Sequence, residues 1–152
     1  MEKIAIADLQ AQAGELQCTS PWVDITQDLV NTFADATHDH QFIHVDLEKA
    51  KMTPFGGTIA HGFLSLSLLS KFASDCLPGV EGAVMGINYG FDKVRFLMPV
   101  PATAKLRGHF KLLECGERKP GEYLSKYEVS VEIENNETPA LVAEWLTLTV
   151  VR

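Results

Sequence analysis

The sequence has few of the features that mark secreted or membrane proteins. Residues 1 to 17 carry acidic side chains, contain no continuous apolar run and lack the basic flank of a secretory signal. No stretch of the chain approaches the ~20 consecutive apolar residues that cross a bilayer. We therefore expect neither a signal peptide nor a membrane-spanning segment.

Cysteine is also scarce. Cys18, Cys76 and Cys115 are widely spaced and form no Cys-x-x-Cys pair. An odd number of distant cysteines favours neither a disulfide framework nor a zinc knuckle. This cysteine usage predicts a reducing, cytoplasmic location.

Positive charge is in the minority, with 13 Lys and Arg against 20 Asp and Glu and a formal net charge of -7. An acidic chain has no general attraction for phosphate backbones or anionic membranes, so we expect neither nucleic acid nor a membrane as a partner. The 152 residues are 46% hydrophobic and 22% charged, as in an ordinary globular domain. We predict one domain over residues 1–152, with residues 1–20 as an N-terminal extension.

Helical patterns dominate the first half of the chain. A short polar helix is predicted over residues 4–14. Thr26 is placed to cap a helix that continues to about Thr37, and Asp46 to cap a short helix that ends near Lys51. Residues 59–74 are apolar on nearly every side, which is typical of a buried central helix.

After Pro78 and Gly79 the hydrophobic period changes to two. Alternation over residues 87–98, 102–112, 123–133 and 141–151 predicts four long antiparallel strands, with a bulge at Asp92 and Lys93 where the parity slips. Helices followed by a strand meander indicate an α+β fold in which a curved antiparallel sheet wraps around the central helix. Because such a sheet would leave an open edge, we expect a homodimer.

Asp39 and His44 are an acid and a base five residues apart in an irregular stretch between two helices. A carboxylate and an imidazole that face one water can position it and move its protons, at roughly 10² to 10⁴-fold in rate per group. The alternative is a capping carboxylate and a surface histidine. His38, His40 and His61 lie nearby, but their spacings fit no common zinc template, so no metal site is expected.

A glycine-containing loop leads into the apolar helix at His61 and Gly62. The missing side chain of Gly62 would let a carbonyl oxygen approach free backbone N–H groups, where the helix dipole favours negative charge. The alternative is a simple turn with a structural His61. Together with the acid/base pair, this oxyanion-hole candidate suits water addition to a carbonyl-conjugated double bond, and equally thioester hydrolysis. A covalent nucleophile is disfavoured because Cys76 has no base partner in sequence and no Gly-x-Ser-x-Gly motif is present.

These features together resemble a known family. The chain resembles the MaoC-like dehydratases, which are (R)-specific enoyl-CoA hydratases of the hotdog fold, and within them it is most similar to the NodN-like branch. The resemblance covers most of the chain beyond residue 20. It rests on Asp39, His44, Phe55-Gly56-Gly57, the run Ile59 to Leu64, the run Asp92 to Phe96, and Pro99-Val100-Pro101.

The resemblance implies that Asp39 and His44 hold a water which adds reversibly to a trans-2-enoyl thioester and gives the (R)-3-hydroxyacyl thioester. It also implies that Gly62 supplies an oxyanion N–H and that Ser67 lies near the dyad, and we add His61 and Gln41 to the substrate-binding residues. A hotdog homodimer is implied, with acyl-CoA or acyl-carrier thioester substrates and with neither a metal nor a redox cofactor.

The chain departs from the usual hydratase motif, which has Gly before the catalytic Asp and Asn-Pro two and three positions after it. Here these positions hold His38, Gln41 and Phe42. Gln41 retains the amide, whereas a non-glycine residue at a positive-φ turn would be strained. Two other functions stay open, a hotdog acyl-CoA thioesterase and a non-catalytic module that binds acyl thioesters.

Overall fold

The computed structural model describes residues 2–152. Within this range six strands form one antiparallel sheet. They are β2 (Gln17–Thr19), β3 (Val23–Asp24), β5 (Ala83–Phe96), β6 (Lys105–Lys119), β7 (Glu122–Ile133) and β8 (Leu141–Val151). Their order in the sheet is β2-β6-β7-β8-β5, and β3 also pairs with β6. A separate parallel pair joins β1 (Lys3–Ile4) to β4 (Gly79–Val80).

The helices are short, and among residues 2–152 none has both the length and the hydropathy to span a membrane. Both predicted caps are confirmed: Thr26 Oγ1 accepts a hydrogen bond from Leu29 N at 3.1 Å, and Asp46 Oδ1 accepts one from Lys49 N at 3.0 Å. The helices are α1 (Ile6–Ala11), α2 (Gln27–Thr37), α3 (Phe42–Val45), α4 (Leu47–Ala50), α5 (Gly62–Ser67) and α6 (Leu69–Cys76).

The predicted central helix corresponds to α5 and α6, which Leu68 joins in a right-handed conformation. Hydrogen bonds continue through this joint, since Leu68 N donates to Leu64 O and Phe72 N donates to Leu68 O. Phe72 is fully buried, and it packs on the sheet at Gly108, where a Cβ atom would lie 2.8 Å from the Cβ of Phe72. Glycine at this position therefore allows the helix to approach the sheet closely.

The long strand β5 lies at one end of the sheet. The predicted bulge is confirmed, because its pairing with β8 shifts register between Phe91 and Lys93. Several large apolar side chains of β5 are half exposed to solvent, among them Val84, which is 53% exposed, and Ile87, which is 42% exposed. Together they make an open, apolar sheet edge.

The structure corrects the prediction made for the cysteines. The expectation of unpaired cysteines is wrong for Cys18 and Cys76, which form a disulfide with their Cα atoms 5.8 Å apart, while Cys115 is free. The two partners are distant in sequence but both lie next to β6: Cys18 pairs across from Phe110, and α6, which ends at Cys76, packs on Gly108. The cytoplasmic location, which was inferred from cysteine usage, loses that support.

Candidate active site

The turn after α2 brings Asp39 into the site. His38 ends the helix in the left-handed region, with φ 63° and ψ 21°. The positive-φ position expected from the departure at His38 is therefore present, and a non-glycine residue there costs of order 1–3 kcal/mol. The next residue, Asp39, is exposed, and its Oδ1 accepts a hydrogen bond from Gln41 N at 3.3 Å.

His44 presents one free ring nitrogen. The side chain is 6% exposed on α3, and its Nδ1 lies 2.7 Å from the carbonyl oxygen of Ile59. A carbonyl can only accept, so Nδ1 carries the proton and Nε2 keeps its lone pair. Burial lowers the pKa of His44 and outweighs the opposing effect of the bond to Ile59, so the imidazole is neutral near pH 7.

Two linked hydrogen bonds hold the main chain at His44, and the sequence did not predict them. Gln27 Nε2 donates to the carbonyl oxygen of His44 at 2.8 Å, and Thr58 Oγ1 donates to Gln27 Oε1 at 2.5 Å. Gln27 is the first residue of α2 and lies beside the predicted cap, but nothing in its local sequence points to a residue 17 positions away. These bonds connect α2, α3 and the loop before α5.

His61 contacts both Asp39 and His44. It is 3% exposed, its Nε2 donates to the main-chain oxygen of Asp39 at 2.9 Å, and its ring stacks on that of His44 with centroids 3.8 Å apart. Ligand-type atoms of Asp39, His44 and His61 thus lie within 4.8 Å of one another.

A group of this composition could hold a metal ion. Two of its ring nitrogens are bonded to the main chain, Nδ1 of His44 to Ile59 O and Nε2 of His61 to Asp39 O.

A cavity of about 320 Å³ opens beside the cluster and is lined by His44, Gly62, Ser65, Phe55, Phe96 and Met98, among others. Gly62 is the first residue of α5, and a Cβ atom there would lie 3.0 Å from the ring of Phe96. Glycine thus lets the ring of Phe96 pack close to the backbone at Gly62, which lines the cavity.

The structure does not bring Ser67 to this cavity. Its hydroxyl is exposed on α5 and donates to Phe63 O at 2.6 Å. Ser65, which sequence reasoning passed over, lines the cavity and is 2% exposed. Helical spacing could have found it: Ser65 follows Gly62 by three residues and so shares its face, whereas Ser67 follows by five. Gln41 lies exposed at the start of α3, where its carbonyl accepts from His44 N at 3.0 Å.

Comparisons with known proteins agree on the family. The family model described as MaoC like domain matches residues 8–136. Nodulation protein N of Rhizobium leguminosarum bv. viciae is 48% identical over 149 residues, which are 97% of this chain and 92% of that protein. 3-Hydroxyacyl-thioester dehydratase Z of Mycobacterium tuberculosis is 46% identical over 140 residues, which are 92% of each protein.

The solved structure of the (R)-hydratase from A. caviae, described as involved in PHA biosynthesis, superposes with a TM-score of 0.72 at 22% identity and covers 87% of this chain and 92% of that chain. At this identity the likeness shows a shared fold. The α+β architecture is that of the hotdog hydratases, as the resemblance implied.

Proposed function

Because the chain belongs to the MaoC-like domain family, we propose that it catalyses the reversible addition of water to trans-2-enoyl-CoA, with (R)-3-hydroxyacyl-CoA as the product. The observation that carries this proposal is the bond from His44 Nδ1 to the carbonyl oxygen of Ile59, which leaves Nε2 unprotonated on a side chain that has a ring nitrogen within 4.8 Å of a carboxylate oxygen of Asp39. The names of two similar proteins, a 3-hydroxyacyl-thioester dehydratase and an (R)-hydratase, support the reaction class.

In the proposed reaction Asp39, His44 and Gly62 have different roles. Asp39 accepts a hydrogen bond from the water, and His44 Nε2 takes one of its protons as the oxygen bonds to C3 of the enoyl group. The π electrons move onto the thioester oxygen, where the Gly62 N–H stabilises the developing enolate charge. The imidazolium of His44 then returns the proton to C2, so that atoms and charge balance. Since no electrons are gained or lost, the reaction needs no redox cofactor, and in this proposal no metal takes part.

We also assign a homodimer to the functional protein. The open edge at β5 carries half-exposed apolar side chains such as Val84, Met85 and Ile87. Pairing of two β5 edges across a two-fold axis would satisfy their free backbone groups and cover these side chains.

The test is to mix the purified protein with crotonyl-CoA and follow the loss of the enoyl-thioester absorbance together with free thiol. Asp39→Asn and His44→Ala should each lower the hydration rate by about 10² to 10⁴-fold. Asp35→Asn and His40→Ala are matched controls, since these two side chains form an exposed pair at 2.8 Å in the same segment and should leave the rate unchanged.

The other outcomes identify the alternatives. Thiol release without loss of the double bond would replace the hydratase by an acyl-CoA thioesterase. Saturable binding of enoyl-CoA of several chain lengths with neither signal would leave an acyl-thioester-binding module. Equal loss of activity in the control variants would show that the segment, and not the dyad, is needed.

A further inference from the structure

His61 contacts both catalytic groups of the proposed hydratase through different atoms. Its Nε2–H donates to the main-chain oxygen of Asp39, and its ring face covers the ring of His44. The ring of Phe33 on α2 also contacts His61, with the ring centroids 4.9 Å apart and the planes inclined by 54°. His61 therefore contacts α2 as well as Asp39 and His44.

Neither nitrogen of His61 is available to a substrate. Nε2 is used by Asp39, and Nδ1 is buried without a hydrogen-bond partner among residues 2–152. Since Nε2 carries the proton that it donates, Nδ1 of the neutral ring is an acceptor that lacks a donor. The sequence-based role of His61 in binding substrate does not fit these contacts.

We propose that His61 is a positioning residue that holds the Asp39 main chain and the His44 ring in their reactive arrangement, in the tautomer whose Nε2 carries the proton. This assignment rests on the proposed hydratase function. A proton on Nδ1 instead would leave Nε2 as an acceptor facing the oxygen of Asp39, and the loop that carries the carboxylate would lose its anchor.

The stacked rings of His61 and His44 also interact electrostatically. The titratable groups beside His61 are His44 and Asp39, and a charged His61 would oppose protonation of His44 across the 3.8 Å between the rings.

The first measurement uses the unmodified protein with ¹⁵N-labelled histidine. The ring nitrogen resonances of His61 should show the proton on Nε2. A wild-type His61 protonated at Nδ1 would overturn the proposal. This readout needs no turnover.

The second measurement separates the two contacts. His61→Phe keeps the ring and loses the donor, while His61→Gln keeps a donor and loses the ring. Each should lower kcat for crotonyl-CoA hydration by about 10 to 10²-fold with KM within about 2-fold, because misplacement of reacting groups acts on the chemical step. His40→Phe is the control and should retain full kcat.

A folded His61→Phe variant with wild-type kcat would sink the inference. If instead the wild-type protein hydrates no enoyl-CoA, the proposed function fails, while the tautomer of His61 still decides the positioning role.

Discussion

His44 Nδ1 lies 2.7 Å from the carbonyl oxygen of Ile59, the residue two positions before His61. This contact fixes which nitrogen of His44 carries the proton, and it makes the conformation of the loop before α5 part of the geometry of the candidate site.

The pH dependence should report a His44 pKa below the ordinary 6.5. Because burial disfavours the imidazolium, the base stays unprotonated, and the acidic limb of kcat/KM for hydration should fall below pH 6.5. Between the lowered pKa and 6.5 the unfolded chain binds more protons than the folded one, so the His44 contribution to the free energy of unfolding rises with pH in this window.

Urea unfolding of the wild type and of His44→Gln over this pH range isolates that contribution, since Gln does not titrate. The wild type should lose more stability than the variant as the pH falls. An acidic limb above pH 6.5 would contradict the burial argument.

Gly62→Ala should damage the site without removing its N–H. The added Cβ would lie 3.0 Å from two ring atoms of Phe96, so this ring, which lines the cavity, must shift. Overpacking of this kind costs about 1–3 kcal/mol, and we expect kcat/KM to fall about tenfold or more. The double variant Gly62→Ala/Phe96→Leu should recover most of the loss. If kcat/KM did not recover in the double variant, the contact between residue 62 and Phe96 would not be the cause of the loss.

Gly108→Ala should lower stability through the helix–sheet contact. The new Cβ would meet the Cβ of Phe72 at 2.8 Å, and α6 cannot move away without uncovering the core. We expect the free energy of unfolding to drop by about 1–3 kcal/mol in urea titrations. Gly116→Ala on the same strand has nothing within 4 Å and is the matched control. Equal effects of the two variants would contradict the close-packing account.

Ile87→Lys should convert the proposed dimer into a monomer. Ile87 is 42% exposed at the sheet edge, and a lysine there opposes edge-to-edge pairing. Analytical ultracentrifugation should give twice the chain mass for the wild type and the single mass for the variant. Leu47→Lys, at a 54% exposed position on α4, is the control and should stay dimeric. A monomeric wild type would remove the edge-pairing argument.

Local signals in the sequence were enough for much of the fold. Thr26 and Asp46 were identified as caps because a hydroxyl or carboxylate oxygen can bond an amide three residues on, and both do. The strand predicted over residues 141–151 coincides with β8, since alternation over 11 residues leaves only one register with the apolar face buried.

Contacts between residues that are distant in the sequence could not be predicted from local signals. The approach of Phe72 to Gly108 and the pairing of Cys18 with Cys76 depend on how distant segments meet on β6, which no local pattern encodes. In the site, the Asp39 and His44 side chains were found from their types, but the role of His61 depends on ring stacking and on a bond to a main-chain oxygen.

The disulfide between Cys18 and Cys76 has a topological consequence. It closes a covalent ring over a sequence separation of 58 residues, and this ring contains Asp39, His44, His61 and Ser65. While the bond is intact, a protease cut within the exposed stretch around Met52 would open the ring but leave its two arms attached to one molecule. Every side chain of the candidate site would then still belong to a single covalent species, and only cleavage together with reduction would separate the dyad from His61.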